Sequence, residues 1–303
     1  MRIAVADVGT NSTRLLIADV DGAAAAPREV DRRSVVTRLG EDVDATGRLA
    51  DSAMDRVRVV LADYRGAVRA MGAVRAIAVL TSAVRDAANG PAFVDEVRAR
   101  FGFDARELSG DEEARLTYLG ATCRRPRARP TLVIDVGGGS TELVVGAGEE
   151  LRFHVSTQAG VVRQTERHLR ADPPRPAELR ALTDDVRAIF AAEVPDAARA
   201  LPEAAIAVAG TATSLAAIEL ELEPYDPARV EGHVLELAAC EALRDRLAAM
   251  PLAERRALPG LHPDRAQVIV AGAVLLVEAL RRFSLDRVEV SEHDLLYGAA
   301  LSA

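Results

Sequence analysis

Lysine and tryptophan are absent from this chain of 303 residues, and all 38 basic side chains are arginine. Without lysine the chain cannot have the lysine of a Walker A phosphate loop or a lysine that forms a Schiff base. The net charge of −8 argues against a broad nucleic-acid-binding surface. An anionic ligand must therefore be bound locally, by arginine, by backbone N–H groups or through a metal ion.

Cysteine and long apolar runs are also scarce. Cys123 and Cys240 are far apart and lack metal-ligand spacing, which predicts reduced thiols in a cytoplasmic protein. No basic-then-apolar signal opens the chain. The longest apolar run, residues 268–277, is too short to cross a bilayer, so we expect no membrane partner. The length and the hydrophobic content of 49% suffice for two domains of ordinary size.

Glycine is concentrated in residues 131–145, which read Thr-Leu-Val-Ile-Asp-Val-Gly-Gly-Gly-Ser-Thr-Glu-Leu-Val-Val. Two apolar runs flank the glycines, which predicts two strands joined by a tight turn. Glycine lets the backbone approach a ligand closely, and successive N–H groups in such a turn can bind an anion. Asp135 and Glu142 add carboxylates, which suit a hard cation such as Mg²⁺. The candidate anion donors are Gly138, Gly139, Ser140 and Thr141.

A second hairpin of the same kind opens the chain. An apolar run covers residues 2–6 apart from Arg2, residues 7–13 read Asp-Val-Gly-Thr-Asn-Ser-Thr, and residues 15–18 are apolar again. Asp7 precedes Asp135 by 128 positions, and the first Ser-Thr pair precedes the second by the same interval. A single repeated interval of this length indicates two related lobes rather than a solenoid.

One glycine turn alone would be explained as a tight β-turn. Two turns, each with Asp before and Ser-Thr after, favour a shared task instead. We expect the two hairpins to face each other across a cleft and to hold a chain of phosphates between two sets of backbone donors.

The remaining pattern alternates between strands and helices, which predicts an α/β fold. Further strands are expected at residues 34–38, 74–80, 105–108, 151–156, 204–209 and 287–290. Helices are expected at residues 51–70, 91–101, 161–169, 176–193, 234–250, 264–283 and 293–301.

Arg85 lies in residues 81–89, directly after the predicted strand at 74–80. Ligands of open α/β sheets gather at the carboxyl ends of strands, so Arg85 is a candidate phosphate ligand with a planar fork of donors. The alternative is a surface arginine paired with Asp86.

Two adjacent glutamates follow Ser109. The spacing of Ser109 and Glu112 fits a capping box at a helix start. Negative charge is also favourable at a helix N-terminus, and this is sufficient to explain Glu112. It leaves Glu113 without an assigned structural role.

Three other features carry less information. Residues 123–130, rich in arginine and proline, are interpreted as a crossover between lobes rather than a nucleic-acid-binding run. The turn at residues 210–213 opens a helix and is either an anion site or a packing turn. The histidines at positions 233, 262 and 293 share no spacing, and we assign none of them to a metal.

Together these segments resemble the exopolyphosphatase/guanosine pentaphosphate phosphohydrolase family of the actin-like ATPase superfamily. The sequence Ser-Glu-His-Asp at residues 291–294 is most similar to the short actinobacterial members. The matching segments cover nearly the whole chain in order and are residues 7–12, 81–87, 109–115, 135–142, 210–213, 265–272 and 290–298.

The resemblance implies a fold of two RNase H-like lobes around a central cleft. We expect an N-terminal lobe at residues 1–122 and a C-terminal lobe at residues 123–303, with packing of the final helix back on the first lobe as an option. It also implies Mg²⁺, or Mn²⁺ in its place, as the cofactor, and a homodimer, because family members are often dimers.

The resemblance further implies removal of the terminal phosphoryl group of a polyphosphate chain by water. Glu113 falls on the family's general base, and Glu142 has a second catalytic or metal role. Asp135, Asp7 and Glu142 are the candidate metal ligands. The candidate phosphate ligands are Asn11, Ser12, Thr13, Arg85, Gly138, Gly139, Ser140 and Thr141.

Three alternatives to an exopolyphosphatase stay open at this point. The same chemistry could act on guanosine pentaphosphate. A sensor could bind polyphosphate or an alarmone without turnover, although the three carboxylates Glu113, Asp135 and Glu142 speak against a pure binder. A sugar kinase of the same superfamily is a poorer match, because the turn at residues 210–213 fits the adenosine loop of those kinases badly.

Overall fold

The structure, a computed structural model, describes residues 1–21, 26–125 and 129–303. They form two compact units. Unit 1 comprises Met1–Arg125 together with His293–Ala303, and unit 2 comprises the described residues from 129 to Glu292. The sequence analysis placed the boundary between residues 122 and 123. The predicted crossover at residues 123–130 lies partly outside the described residues.

Unit 1 is built on one five-stranded sheet in the order β3-β2-β1-β4-β5. The first three strands form an antiparallel meander, and β4 and β5 run parallel to β1. The strands are β1 (Arg2–Val8), β2 (Ser12–Asp19), β3 (Arg28–Val36), β4 (Arg75–Leu80) and β5 (Asp104–Glu107). The helices are α1 (Val43–Thr46), α2 (Asp51–Ala70), α3 (Ser82–Arg85), α4 (Gly90–Phe101) and α5 (Gly110–Thr122).

Unit 2 repeats this arrangement in the order β8-β7-β6-β9-β11 and adds the antiparallel strand β10 at one edge. Its strands are β6 (Thr131–Val136), β7 (Thr141–Ala147), β8 (Glu150–Thr157), β9 (Ala204–Val208), β10 (Val234–Glu236) and β11 (Arg287–Val290). Its helices are α6 (Val161–His168), α7 (Pro176–Glu193), α8 (Asp196–Arg199), α9 (Ala209–Glu219), α10 (Pro227–Val230), α11 (Leu237–Ala249), α12 (Leu252–Arg256) and α13 (Ile269–Arg282). A 3₁₀ turn covers Pro263–Arg265, and helix α14 (Leu295–Leu301) belongs to unit 1.

The duplication predicted from the 128-residue interval is confirmed in backbone detail. In the hairpin β1–β2 Asp7 is paired with Arg14, and in β6–β7 Asp135 is paired with Glu142. In each unit the register between the second strand of the hairpin and its outer neighbour shifts at a bulge whose extra residue lies on the outer strand. The shift falls between Ile17 and Ala18 in one unit and 128 positions later in the other. Each unit therefore has the RNase H-like sheet that the sequence predicted. That the hairpins face each other across a cleft stays a prediction.

Three of the predicted elements were wrong in part. The helix expected at residues 264–283 begins only at Ile269, after the 3₁₀ turn of Pro263–Arg265. The helix expected at residues 234–250 begins with strand β10, because Val234–Glu236 pairs with β11 at the sheet edge. The strand expected at residues 34–38 is longer and covers Arg28–Val36. Its first part was missed because its many charged residues do not form an apolar pattern. Such residues are common on an edge strand, where they oppose pairing with another chain.

Alternation along β1 explains the two cores of unit 1. Ala4 and Ala6 face a core formed with α2, whereas Ile3 and Val5 face a smaller core formed with α14. Unit 2 has one large core around α13, which is buried along nearly its whole length. Within the described ranges, no helix combines the length and the apolar character that a membrane span requires.

The C-terminal helix α14 packs on α5 through glycines. A Cβ on Gly298 would overlap the carbonyl of Leu116, and a Cβ on Gly120 would overlap the carbonyl of Asp294. The neighbours are backbone atoms, which cannot rotate away, so only glycine allows this approach. The contact fixes the position of α5, whose first turn carries Glu113.

We expect Gly298→Ala to destabilise the protein by about 1–3 kcal/mol, because the added methyl must push α14 away from α5. Gly66→Ala in α2 is the matched control, since a Cβ there meets no atom within 4 Å. Replacing an exposed helical glycine in this way should stabilise by up to about 1 kcal/mol. Urea unfolding of both variants measures the difference, and equal stabilities would show that the α5–α14 contact tolerates a methyl group.

Candidate active site

The turn of the second hairpin, residues 137–140, is held through its carbonyl groups. Val161 N donates to Gly137 O at 2.9 Å, and Val162 N donates to Gly138 O at 2.8 Å. The Nε of Arg163 donates to Gly139 O at 2.9 Å. All three donors belong to the first turn of α6. Gly160, which precedes α6, permits this approach, because a Cβ there would overlap the backbone of the turn.

The direction of the carbonyls fixes the direction of the N–H groups. In a planar trans peptide the C=O and the following N–H point in opposite directions. The N–H groups of Gly138, Gly139 and Ser140 therefore point away from α6. Within the described part of the chain, no group accepts a hydrogen bond from any of the three. Successive unused N–H groups of this kind form an anion-binding concavity.

The first hairpin uses the same arrangement. Gly40 N donates to Thr10 O at 2.8 Å, and the N–H groups of Thr37 and Arg38 donate to Asn11 O at 3.0 and 2.9 Å. The N–H groups of Asn11 and Ser12 consequently point away from this segment. The closing bond is identical in the two turns, with Gly9 N to Ser12 O and Gly137 N to Ser140 O both at 3.0 Å.

Two of the predicted phosphate ligands have their hydroxyl groups in the core. Thr141 is fully buried, and its hydroxyl donates to the carbonyl of Ala159. Thr13 is also fully buried, with its Oγ1 2.9 Å from that of Thr37. Both hydroxyls bond residues that follow the outer strand of the sheet, Thr37 after β3 and Ala159 after β8. They therefore lie away from the surface of the turns.

Asp135 and Glu142 lie opposite each other on β6 and β7, so both carboxylates lie on the same face of the sheet. Both are buried. Ser156 on β8 donates its hydroxyl to Oε1 of Glu142 at 2.7 Å and so fixes the glutamate's orientation. Two carboxylates directly opposite each other repel, and a cation relieves that repulsion.

This carboxylate pair fits the way proteins hold Mg²⁺. The ion keeps several waters and is commonly bound by one or two carboxylates and by the phosphates of a substrate. The described residues contain no group of three or more His, Cys, Asp or Glu that could hold a metal by protein ligands alone. The pair Asp135 and Glu142 meets the smaller requirement of a substrate-assisted Mg²⁺ site.

Asp7 has a different environment. Its Oδ2 accepts a hydrogen bond from Nε of Arg14 at 2.8 Å and a second from Nη2. Nη1 of the same guanidinium donates to Oδ2 of Asp294, at the start of α14. The other oxygen of Asp7, Oδ1, is buried and has no hydrogen-bond partner among the described residues. One oxygen of the predicted metal ligand is thus already occupied by arginine.

The two carboxylates beside Arg14 shift in opposite directions. Burial raises the pKa of Asp7, and the positive charge of Arg14 reduces that shift without cancelling it. Burial also acts to raise the pKa of Asp294, but Arg14 and Arg32 outweigh it and leave this pKa lowered. Of the two carboxyl groups, Asp294 is therefore the one more readily ionised, and its negative charge balances Arg14.

Glu113 and Arg85 are brought together in unit 1. The predicted capping box of Ser109 and Glu112 is confirmed and sets the start of α5, which leaves Glu113 buried on the inner side of its first turn. Nη1 of Arg85 donates to Oε2 of Glu113 at 3.0 Å and to Leu108 O at 2.9 Å. The alternative pairing with Asp86 is wrong. The Nε and Nη2 groups of Arg85 donate to none of the described residues, so they can serve a ligand.

Sequence reasoning missed Arg14 and Asp294 and left the 210–213 turn undecided. Arg14 could have been found, because it precedes Glu142 by the repeat interval. Asp294 lies in the matching segment at residues 290–298, but nothing in the sequence signalled its contact with Arg14, which spans 280 positions. At the undecided turn the guanidinium of Arg265 lies directly against Gly210, where a side chain would overlap it. That contact supports the packing interpretation.

Comparison with known proteins finds relatives over nearly the whole chain. Residues 16–303 match the model of the Ppx/GppA phosphatase family. Exopolyphosphatase 2 of Mycobacterium tuberculosis is 39% identical over 99% of this chain and 98% of its own length. The crystal structure of an exopolyphosphatase-like protein is 36% identical with a TM-score of 0.93, over 99% of this chain and 97% of that one.

A more distant solved structure is similar over the same length. The Aquifex aeolicus member of the Ppx/GppA family is 30% identical with a TM-score of 0.83, over 100% of this chain and 97% of its own. Similarity to both proteins extends over both units, and the family match includes both Asp135 and Glu142. The chain therefore belongs to the Ppx/GppA phosphatase family.

Proposed function

We propose that the protein is an exopolyphosphatase, which uses water and a divalent metal ion to remove the terminal phosphoryl group of inorganic polyphosphate as orthophosphate. The observation that carries the proposal is the pair of duplicated turns with outward N–H groups, because polyphosphate presents many similar anionic groups in a row. A relative with 39% identity over nearly the full length is named an exopolyphosphatase, which supports the same substrate class.

Binding of the phosphates falls to backbone donors and to arginine. The N–H groups of Gly138, Gly139 and Ser140 would receive phosphate oxygens in unit 2, and those of Asn11 and Ser12 would do so in unit 1. The two donor groups of Arg85 that its partners leave unused add a charged contact. Polyphosphate thus needs no lysine, in agreement with the absence of lysine from the chain.

The metal site is assigned to Asp135 and Glu142. Mg²⁺, or Mn²⁺ in its place, would draw charge off the transferred phosphoryl group when bound there. Ser156 holds the carboxylate of Glu142 in place by donating to Oε1. Asp7, which the sequence offered as a further ligand, is the weaker choice because Arg14 already occupies its Oδ2.

Glu113 orients the attacking water and accepts its proton. Phosphoryl transfer depends on positioning and charge neutralisation more than on covalent chemistry. The ion pair with Arg85 holds the Glu113 carboxylate at the start of α5, where a general base must be positioned. The water's oxygen bonds to phosphorus, the bridging oxygen leaves with the shortened chain, and the proton leaves on Glu113.

The proposed activity is tested by phosphate release in the presence of Mg²⁺, with long-chain polyphosphate and guanosine pentaphosphate offered in separate reactions. Phosphate released from polyphosphate at the higher kcat/KM supports the proposal. Preference for guanosine pentaphosphate would assign the same chemistry to the alarmone, and tight binding of polyphosphate without release would identify a sensor. A cytoplasmic homodimer stays a prediction, which fractionation of cells and sedimentation of the purified protein would test.

Replacing Glu113 by glutamine should lower kcat by about 10²–10⁴-fold and leave KM nearly unchanged, because the amide cannot accept a proton. Glu112→Gln is the matched control on the neighbouring position. Glu112 caps α5 and bonds Arg106, so its replacement should affect stability and not kcat. Steady-state kinetics on both variants gives the comparison, and a normal kcat in Glu113→Gln would remove Glu113 from the role of base.

Replacing Glu142 by glutamine should weaken metal binding, because one of the two carboxylate ligands is lost. Changes around metal sites cost about 10–100-fold in affinity even beyond the direct ligands, and we expect at least that loss here. Glu150→Gln is the control, since Glu150 is exposed on β8 and pairs with Arg152. The Mg²⁺ concentration for half-maximal activity is the readout. The same value in all three proteins would refute the metal assignment.

A further inference from the structure

Arg14 is enclosed by two carboxylates that come from distant parts of the chain. Three of its N–H groups are used, two by Oδ2 of Asp7 and one by Oδ2 of Asp294. The side chains of Asp7 and Asp294 are only 4% and 1% exposed, and that of Arg14 is 15% exposed. Arg32 is the other cation of the group, with Nη2 3.9 Å from Oδ2 of Asp294. These contacts bring together two guanidinium groups, of Arg14 and Arg32, and two carboxyl groups, of Asp7 and Asp294.

Asp294 cannot turn away from Arg14 without a cost to α14. Its Oδ1 accepts the N–H of Leu296 at 3.0 Å, which caps that helix, while its Oδ2 faces Arg14. The helix itself is fixed on α5 through Gly120 and Gly298. The returning C-terminal segment thus supplies a fixed carboxylate to the first hairpin.

The second hairpin has a carboxylate where the first has this arginine. Arg14 and Glu142 are 128 positions apart, and each is the register partner of the aspartate at the same place in its hairpin. The two units therefore have the same backbone and opposite charge at one position. The register pair of the second hairpin consists of two carboxylates, whereas the register pair of the first consists of a carboxylate and a guanidinium.

We propose that Arg14, held between Asp7 and Asp294, is the resident cation of the first hairpin and replaces there the divalent ion that the second hairpin binds. This inference rests on the proposed function, because it takes the metal site at Asp135 and Glu142 as given. It makes Asp294 a positioning residue, which acts through Arg14. It also predicts one metal ion per chain, with the first hairpin binding phosphate through N–H groups alone.

The physical reason is competition for the same oxygen atoms. A guanidinium that already bonds Oδ2 of both aspartates excludes a second cation by repulsion. Without Arg14, Asp7 and Asp294 would lose the cation that bonds both of them, while Arg32 would stay 3.9 Å from Asp294. The position between the two buried carboxylates would then be open to a divalent ion. The duplicated hairpins would then both be metal sites.

The experiment counts Mn²⁺ ions per chain by isothermal titration calorimetry on the full-length protein. Wild type and Asp7→Asn should each bind one ion. Glu142→Gln should bind none in the same concentration range. The double variant Arg14→Gln/Glu142→Gln should recover one ion, now at Asp7 and Asp294. The matched control is Arg2→Gln/Glu142→Gln, which removes the ion pair between Arg2 and Asp19 at the other end of the same two strands and should recover none.

Absence of a recovered site in the Arg14 double variant would overturn the proposal, as would loss of a site in Asp7→Asn. The amide oxygen in Asp7→Asn can still accept a hydrogen bond from Arg14. The ion count of this single variant therefore still tests the proposal if the double variant does not fold. A rise in the melting temperature of the double variant on adding Mn²⁺, absent in the Arg2 control, would support it independently. Failure of the proposed function is recognised separately, as wild type that binds one Mn²⁺ and releases no phosphate from polyphosphate.

Discussion

The hydrogen bonds donated to the carbonyl groups of the two turns are the interactions on which the site depends. Gly137–Gly139 are held by the first turn of α6, and Thr10 and Asn11 are held by residues 37–40. Because a peptide unit is planar, fixing the carbonyl also fixes the opposite N–H. The rest of each unit, including the glycine that lets the neighbouring segment approach, serves to hold these few peptide groups in one orientation.

Comparison of the two hairpins shows which features of the anion-binding turn are shared and which differ. The strand order, the register, the bulge and the closing hydrogen bond of the turn are the same in the two units. The side chain opposite the repeated aspartate differs, arginine in one hairpin and glutamate in the other. With the metal site proposed above, a single change of charge on an unchanged backbone would separate an anion-binding turn from one that also attracts a divalent cation.

The C-terminal segment links Glu113, the proposed general base, to the charge balance of unit 1. Helix α14 touches α5 through backbone atoms at two glycines, and α5 begins beside Glu113. The same segment supplies Asp294, which balances Arg14. Residues that are distant in sequence are thus coupled through one close contact between helices. A displacement of α14 would move both Glu113 on α5 and Asp294 beside the first hairpin.

The sequence by itself determined the two hairpins, the repeat that relates them and the positions of Glu113, Asp135 and Glu142. These features have a local cause, since glycine turns, apolar runs and capping boxes are decided by neighbouring residues. Helices α2 and α7 were predicted with their observed bounds, whereas β10 was mistaken for helix because its strand character comes only from pairing with β11.

Only the tertiary structure decided which partners the charged side chains have. Arg85 bonds Glu113 rather than the adjacent Asp86, Asp7 is tied to Arg14, and Asp294 joins them from 280 positions away. The hydroxyl groups of Thr13 and Thr141 turned out to be buried in their own units. An ion pair forms wherever the fold brings opposite charges within reach, and sequence distance carries no information about that reach.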